Sequence, residues 1–203
     1  MDRPVCTVKG MSTKASDRSP RERLLSAANE LFYEEGVHTV GIDRVLKHAG
    51  VAKASLYSTF GSKEELIRAY LEARLEKRKQ RYAQRFARCT TARERILAVF
   101  DLLGESFIES GFRGCAFQRA SAEAPAAGVR DVVHAARDFA RSTFVELARE
   151  AGAADPDALA KQLVVLYDGA TIAAQLDRDT GAATTARSMA VALLDAALVT
   201  AER

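Results

Sequence analysis

Tryptophan is absent from this chain of 203 residues, and proline occurs only four times. Because proline interrupts the interior of helices and of central strands alike, so few prolines leave long segments free to form regular structure. No segment alternates apolar and polar residues for long, which argues against a sheet as the main architecture. Apolar residues, chiefly Ala and Leu, recur at helical spacing instead, so we predict an all-α protein.

Long apolar runs and evenly paired cysteines are also lacking. No apolar segment approaches the roughly 18–20 residues that a membrane-spanning helix needs, and no signal-peptide core precedes the first predicted helix. Cys6, Cys89 and Cys115 have neither metal-ligand spacing nor an even number for complete pairing. We therefore expect a cytoplasmic protein with free thiols, without a cofactor, a metal site or a membrane partner.

Catalytic motifs are missing too. His38, His48 and His134 are scattered along the chain, and no zinc-peptidase, serine-hydrolase or phosphate-loop pattern occurs. A pairing of Cys115 with His134 would lack a third group to orient the histidine. We therefore do not expect an enzyme.

The N-terminal segment is polar and leads to a strong helix start. Residues 1–18 lack apolar periodicity, so we expect a disordered tail there, with translation beginning at Met1 or at Met11. Ser19 and Glu22 flank a proline in the order of a capping box, which predicts the start of the first helix.

Residues 42–60 carry the most informative pattern of the chain. An apolar-spaced helix is predicted over about 42–49; it reaches Gly50, and after a turn a second short helix is predicted over about 53–59. Two helices joined by a tight turn with Gly at its head are typical of a helix-turn-helix, a shape that fits a helix into the DNA major groove.

Helical periodicity and capping residues predict the other elements as well. The first helix is expected to end near residue 35, before a glycine, and Ser62 is expected to cap a long fourth helix. A second, larger helical region follows residue 89. Its helices are predicted at about 91–110, 115–123, 129–151, 156–177 and 182–200.

A basic run lies in the fourth predicted helix and just beyond it. From Arg74 to Arg88 the chain has seven Lys or Arg and a single acid, Glu76. Two interpretations are open, a solvated face of a long helix or a direct contact with DNA.

Residues 21–66 resemble the N-terminal domain of the TetR/AcrR family of bacterial transcription regulators. The matching segments are Arg21…Leu24-Leu25…Ala27-Ala28…Leu31-Phe32…Gly36, then Gly41-Ile42-Asp43, then Ala49 to Phe60, then Ser62 to Leu66. The resemblance implies a helix-turn-helix domain over 19–66 and a ligand-binding and dimerisation domain over 67–203. It also implies a homodimer that binds a double-stranded DNA operator and responds to an unknown small-molecule effector. Repression is the family's commoner mode; an activator of the same fold and a helical adaptor that does not bind DNA are the alternatives.

The resemblance makes the helix over about 53–59 the recognition helix. Family members contact the DNA backbone through the Tyr and the Lys at the positions of Tyr57 and Lys63. We expect phosphate contacts from Lys53, Tyr57, Lys63 and Thr39, which would set the register on the DNA. The alternatives are a core position for Tyr57 and a capping role for Thr39.

Base contacts are expected from short side chains of the same helix, namely Ala54, Ser55, Ser58 and Thr59. Short side chains require the helix to lie deep in the groove, where Ala54 or the methyl of Thr59 can touch a thymine methyl. Many relatives carry an aromatic residue or histidine in place of Ser58 and Thr59, which leaves the operator sequence open. The alternatives are a capping role for Ser55 and a merely solvated Ser58.

The resemblance further implies that the effector enters the C-terminal domain, moves the recognition helices apart and so releases DNA. Aromatic and polar side chains of that domain are candidates for its pocket, although an aromatic stripe is also typical of plain core. The candidates are Phe100, Leu103, Phe107, Phe112, Cys115, Phe117, Gln118, His134, Arg137, Phe139 and Tyr167. Cys115 is either a packing group or a thiol that senses electrophiles, as in some relatives.

Wide apolar faces mark the last two predicted helices. By resemblance these helices pair with those of a second subunit as a four-helix bundle, and a twofold dimer implies a roughly palindromic operator. The predicted interface comprises Leu159, Leu163, Leu166, Ala170, Ala173, Ala174, Leu194 and Leu198. The alternative is that these faces form only the core within one chain.

Overall fold

Helices make up all the regular structure in the part of the chain that our computed structural model describes, residues 18–109, 111–124 and 126–199. The helices are α1 (Pro20–Glu35), α2 (Ile42–Ala49), α3 (Lys53–Phe60), α4 (Lys63–Phe86), α5 (Ala92–Ile108), α6 (Ala116–Glu123), α7 (Ala127–Glu150), α8 (Pro156–Leu176) and α9 (Ala182–Val199). The all-α prediction is confirmed, and each predicted helix is present with ends that differ by at most two residues. The tail predicted over 1–18 lies, except for its last residue, outside the described residues.

The first helix begins as its capping residues predict. The Ser19 hydroxyl accepts a hydrogen bond from the Glu22 backbone N–H at 3.3 Å, and the Glu22 carboxylate accepts one from the Ser19 backbone N–H at 2.8 Å. The Ser19 backbone N–H lowers the pKa of the Glu22 carboxylate, and so does the Ser19 hydroxyl, which also donates to it at 2.8 Å; both bonds are made to the carboxylate. Because they favour the charged carboxylate, the cap contributes stability above the usual pKa of Glu and loses it as the pH falls.

A buried cluster fixes α2 and α3 against α1. Leu24, Val45 and Leu56, one from each helix, are fully buried. The turn between α2 and α3 is closed by Gly50 in the left-handed conformation, at φ 60°, and the Arg23 guanidinium of α1 donates a hydrogen bond to the Gly50 carbonyl oxygen at 3.1 Å. Glycine suits this position because residues with a Cβ rarely adopt positive φ. Helix α3 is therefore held at one end by this turn and along one side by Leu56.

The core around α1 to α4 continues into the second half of the chain. Phe117 of α6 and Val129 of α7 are buried in the same cluster as Leu24 and Leu56. A second cluster joins α5, α7, α8 and α9, with Phe100 against Phe144 at 6.0 Å between ring centroids. Helix α4 runs unbroken past residue 66, where the predicted DNA-binding domain ends. The DNA-binding helices and the C-terminal helices thus meet along α4, α6 and α7.

Gly36 marks a close approach between the end of α1 and α6. Its backbone has φ 95° and ψ 150°, a region that is essentially restricted to glycine. A Cβ at this position would lie 2.6 Å from the Glu123 carboxylate, which accepts a hydrogen bond from the His38 backbone N–H at 3.1 Å. Glycine therefore lets the chain after α1 bind the C-terminal end of α6.

Gly36→Ala is expected to lower the free energy of unfolding by about 1–3 kcal/mol, since it combines backbone strain with displacement of Glu123. Urea denaturation followed by circular dichroism measures this change. The matched control is Gly152→Ala, also at positive φ but with nothing within 4 Å of an added Cβ. If both variants lose the same stability, the contact with Glu123 contributes nothing beyond backbone strain.

Among the described residues, no helix combines the length and the apolar character that crossing a membrane requires. Cys89 and Cys115 are free thiols in this part of the chain, and Cys6 lies outside it.

Candidate nucleic-acid interface and internal cavity

Helix α3 presents a polar, largely open surface once Leu56 is buried. Ala54, Ser58 and Thr59 are exposed and Ser55 is half-buried. The Tyr57 side chain is 50% exposed, so it does not take the core position considered as its alternative. A helix with one buried side chain and a row of small polar side chains on its open face can lie deep in the major groove of DNA.

Two hydroxyls of α3 bond back to the helix. Thr59 Oγ1 donates to the Ser55 carbonyl oxygen at 2.6 Å, and Ser58 Oγ donates to the same oxygen at 3.1 Å. Since each hydroxyl has only one hydrogen, both oxygens keep only acceptor capacity toward an outside partner. Each can accept from a base amino group of adenine or cytosine.

Apart from Tyr57, the predicted phosphate-contact residues lie at or near helix starts. Lys53 is in the first turn of α3, and its ammonium group lies 3.3 Å from the Asp43 carboxylate in a highly exposed pair. Lys63 begins α4, and Thr39 is exposed in the segment before α2. An exposed ion pair such as Lys53–Asp43 is weak in water, so the lysine can exchange its partner for a phosphate at little cost.

Known proteins share this arrangement. A family model described as bacterial regulatory proteins, tetR family, matches residues 24–70. A TetR-family transcriptional regulator of Streptomyces coelicolor, known from its crystal structure, is 35% identical; the match covers 88% of this chain and 96% of that chain, with a TM-score of 0.83. The chain belongs to the TetR family of transcriptional regulators. Its function is therefore DNA-binding regulation of transcription, and it is not an enzyme.

Relatives with curated functions include both activators and repressors of transcription. The transcriptional activator FasR of Mycolicibacterium smegmatis is 33% identical over 105 residues, which are 50% of this chain and 48% of that protein. The transcriptional repressor NemR of Escherichia coli is 33% identical over 116 residues, 54% of this chain and 56% of its own length. The matched region thus spans about half the length of these curated relatives.

This TetR-family regulator contains a cavity of about 370 Å³ beside the junction of its two halves. Helices α1, α4, α5, α6 and α8 and the segment before α6 supply its walls. The lining residues are Asn29, Tyr33, Arg74, Lys77, Arg78, Arg81, Tyr82, Leu102, Leu103, Ser106, Glu109, Phe112, Gly114, Cys115, Ala116, Phe117, Tyr167 and Thr171. Because α1 belongs to the DNA-binding half, an occupant of this cavity would touch both halves of the regulator.

Five of the predicted pocket residues line this cavity, namely Leu103, Phe112, Cys115, Phe117 and Tyr167. Phe100 and Phe107 do not line it. Phe100 is fully buried in the C-terminal core. Phe107 is also buried and packs against Phe112, with 5.0 Å between the ring centroids. Cys115, considered above as a packing group or a sensor, is half-buried in the wall beside Arg78.

The remaining predicted pocket residues lie elsewhere. Arg137 is exposed and pairs with Asp168 at 2.6 Å, and His134 is exposed on the outer face of α7. Phe139 lies against another side of Tyr82, with 5.5 Å between ring centroids. Gln118 is half-buried in α6 but does not line the cavity. The helical spacing predicted that these residues lie on helices of the C-terminal domain. It could not predict which face of α6 or α7 lines a cavity.

The basic run of α4 supplies the cavity residues that the sequence reasoning missed. Arg74, Lys77, Arg78 and Arg81 recur at spacings of three and four residues and line the cavity along one face of α4. The Arg85 guanidinium pairs with the Glu105 carboxylate of α5. A solvated face describes the exposed Lys77, whereas Arg74, Arg78 and Arg81 are half-buried against the cavity. Their spacing of three and four residues could have predicted a shared face of α4, because a random basic tract lacks this periodicity.

The predicted dimer residues need a correction. Leu159, Leu163, Ala170, Ala174 and Leu194 are 0–7% exposed in the isolated chain, where they form its C-terminal core. Because their own chain already covers these side chains, they offer little surface to a second subunit. Leu166, Ala173 and Leu198 are half-buried.

A different face of α8 and α9 is open and apolar. Val165, Ile172 and Leu176 of α8 are 69%, 43% and 70% exposed, and Met189 of α9 is 53% exposed. Exposed small residues continue this face: Gly169, Ala192 and Ala196. We call these seven residues the α8–α9 stripe.

Tyr33 ties α1 to the segment before α6. Its phenol oxygen accepts a hydrogen bond from the Arg113 backbone N–H at 3.0 Å and donates one to the Gly114 carbonyl oxygen at 3.2 Å. The Arg119 guanidinium donates to the Tyr33 carbonyl oxygen at 2.6 Å. A displacement of this segment would therefore pull on α1.

Proposed function

We propose that this regulator is a repressor that binds a palindromic operator as a homodimer and leaves it when a small molecule fills the cavity. The observation that carries the proposal is the shared wall of the cavity, to which α1 of the DNA-binding half contributes Asn29 and Tyr33. A ligand that fits the cavity only after α1 or α6 moves would bind the DNA-free state more tightly. The ligand would then shift the population away from the DNA-bound state.

On DNA, α3 is the recognition helix in this proposal. Lys53, Tyr57, Lys63 and Thr39 contact phosphates and fix the register. The hydroxyls of Ser58 and Thr59 accept hydrogen bonds from base amino groups, since their hydrogens are bonded to the Ser55 carbonyl oxygen. Ala54 and Ser55 complete the base-facing set.

Two subunits act together because one helix-turn-helix domain has few groups for phosphate contact. The α8–α9 stripe is the interface that we propose, because it is an exposed apolar surface on the helices that pair in this family. Half-buried Leu166, Ala173 and Leu198 border it and replace the buried leucines as candidate partner contacts.

Repression is the simpler mode for such a dimer. A bound dimer can block a promoter by occupying it, whereas activation needs a further productive contact with the transcription machinery. Since activator and repressor relatives are equally similar in sequence, the sign is tested with a promoter–reporter fusion in cells with and without the regulator. Reporter output that falls on deletion of the regulator would establish the activator alternative.

DNA binding is tested with the full chain and the DNA beside its own gene. We expect a shifted complex of two subunits, a footprint over an inverted repeat with half-sites about one helical turn or somewhat more apart, and weaker binding at higher salt. A scrambled fragment of equal length is the control. Failure to bind in a salt-sensitive manner would favour the helical adaptor instead.

A further inference from the structure

We infer that the cavity takes an organic anion whose acidic group is held by the guanidinium groups of Arg78 and Arg74. This inference rests on the proposed function, since it names the chemical class of the effector. Four basic residues line the cavity against one acidic residue, Glu109. An excess of positive charge along the wall of a concave site favours a negatively charged ligand.

The acids at the cavity pair with only one of the four lining cations, Arg81. Glu109 and the nearby Glu105 both pair with Arg81, at 3.5 Å and 3.6 Å. Arg74, Lys77 and Arg78 have no ion pair with any carboxylate of the described residues. Arg74 and Arg78 therefore face the cavity, half-buried and without a counter-ion, and the exposed Lys77 adds positive charge to its wall.

Arg78 is surrounded by neutral groups. Its guanidinium lies 4.8 Å from the Phe117 ring centroid, and Cys115, Tyr82 and Tyr167 line the same cavity. Burial by itself lowers the pKa of Arg78, but guanidinium groups are not deprotonated in proteins, so the group stays charged. Burial raises the pKa of the adjacent Tyr82 well above its usual value, so the Tyr82 phenol is neutral and cannot serve as the counter-ion. Arg78 is half-buried, and partial removal of an unpaired cation from water costs free energy, which a bound anion would offset.

Arg74 is held by aromatic faces rather than by an acid. Its guanidinium lies 3.9 Å from the Tyr33 ring centroid and 5.3 Å from the Tyr70 ring centroid. Burial raises the pKa of Tyr70 to about 12, so this ring is also neutral. The Arg74 Nε is buried and has no hydrogen-bond partner. A carboxylate, sulfonate or phosphate group in the cavity could bind the Arg74 guanidinium, because guanidinium groups suit planar and tetrahedral oxyanions.

The Arg74–Tyr33 contact links the anion to the DNA-binding half. Tyr33 belongs to α1, and an acidic group that draws Arg74 into the cavity weakens the cation–π contact with its ring. The same tyrosine is hydrogen-bonded to Arg113 and Gly114. Anion binding would thus loosen one of the contacts that set the position of α1.

The other residues of the cavity wall favour a ligand whose remaining part is apolar. Leu102, Leu103, Phe112 and Phe117 line the cavity, and its volume of about 370 Å³ is that of a small organic ligand. The predicted ligand is therefore an acid with a compact apolar or aromatic skeleton.

Two fluorescent probes with the same skeleton test the inference. Anilinonaphthalene sulfonate carries an acidic group, and phenylnaphthylamine is its neutral counterpart. The full-length regulator is expected to bind the sulfonate at least about tenfold more tightly than the amine, as one charge-assisted hydrogen-bonded contact warrants. Arg78→Gln should lose about tenfold of the sulfonate affinity and change the amine affinity by less than about threefold. Arg88→Gln removes the same charge from an exposed position outside the cavity and should change neither affinity.

Equal affinity for the two probes in the unsubstituted chain would overturn the inference, and so would equal effects of Arg78→Gln and Arg88→Gln. Operator binding and circular dichroism show whether Arg78→Gln is folded. If it is not, Arg78→Lys takes its place; it keeps the charge but loses the forked donors, and it should still weaken sulfonate binding. Unchanged sulfonate binding in Arg78→Lys and in Arg74→Gln would likewise overturn the inference.

The failure of this inference is distinguishable from failure of the proposed function. Operator release is followed by the fluorescence anisotropy of labelled operator DNA while each probe is added. Release by both probes at equal concentrations, in wild type and Arg78→Gln alike, would support effector release and overturn the anion site. Sulfonate binding that depends on Arg78 but leaves the operator bound would support the anion site and contradict effector release.

Discussion

Ile172→Glu is expected to make the regulator a monomer and to weaken its operator binding by about a hundredfold or more. Ile172 lies in the α8–α9 stripe, where it is 43% exposed in the isolated chain. In a twofold interface each substitution occurs twice, so two carboxylates would be buried without partners. A monomer retains only one half-site contact, and most of the specific affinity for a palindrome is lost with the second.

Sedimentation of the free protein and a gel shift on the operator measure the two parts of this prediction. The matched control is Ile108→Glu, because Ile108 of α5 is 74% exposed but lies outside the stripe. Both variants should keep the helical circular dichroism spectrum. A dimeric Ile172→Glu protein with unchanged operator affinity would exclude the stripe as the interface.

Removing two lysines from the DNA-binding half is expected to have the second largest effect. In the double variant Lys53→Ala/Lys63→Ala, a dimer loses four phosphate contacts. The slope of log affinity against log salt concentration should become less steep by roughly 3–4. Affinity near physiological salt should fall by about a hundredfold, and to a similar extent for operator and unrelated DNA, because phosphate contacts carry no sequence information.

Fluorescence anisotropy with operator and with scrambled DNA, at several salt concentrations, measures this slope. The control is Lys79→Ala/Arg88→Ala, which removes the same charge from exposed positions outside the helix-turn-helix. A control variant with the same loss of slope would show that the overall charge acts, and not Lys53 and Lys63. A loss of affinity confined to the operator would instead make these lysines base-reading residues.

The helix pattern could be predicted from the sequence because its signals are local. Ser19, Ser62, Thr91 and Asp155 accept hydrogen bonds from backbone N–H groups three residues further on, and these helix starts agree with the prediction. Capping depends on neighbours within one turn, so it needs no knowledge of the tertiary structure.

The family could be recognised from the sequence for a related reason. The helix-turn-helix and the residues around it are contiguous, and Gly50 and Leu56 have fixed roles within that short segment. The motif therefore identified a DNA-binding regulator before its C-terminal half was understood.

Faces that meet distant helices could not be predicted in this way. Leu163 and Val165 are both apolar and two residues apart in α8, yet one is fully buried and the other is 69% exposed. A helix that is apolar around much of its circumference gives no periodic signal for which side its own chain covers. Only the packing of α7 and α9 against α8 decided that Leu163 is core and that Val165 belongs to the open stripe.

The cavity is the clearest case of tertiary structure deciding a role. The sequence determined that α4 is a helix with basic residues at regular spacing, and that Tyr33 lies near the end of α1. It did not determine that Arg74 lies 3.9 Å from the Tyr33 ring centroid, because residues 41 positions apart meet only through the packing of α1, α4 and α6. Local hydrogen bonds and periodicity thus determined the helices and the DNA-binding motif, whereas contacts between distant helices decided which cations line a cavity and which apolar residues are exposed.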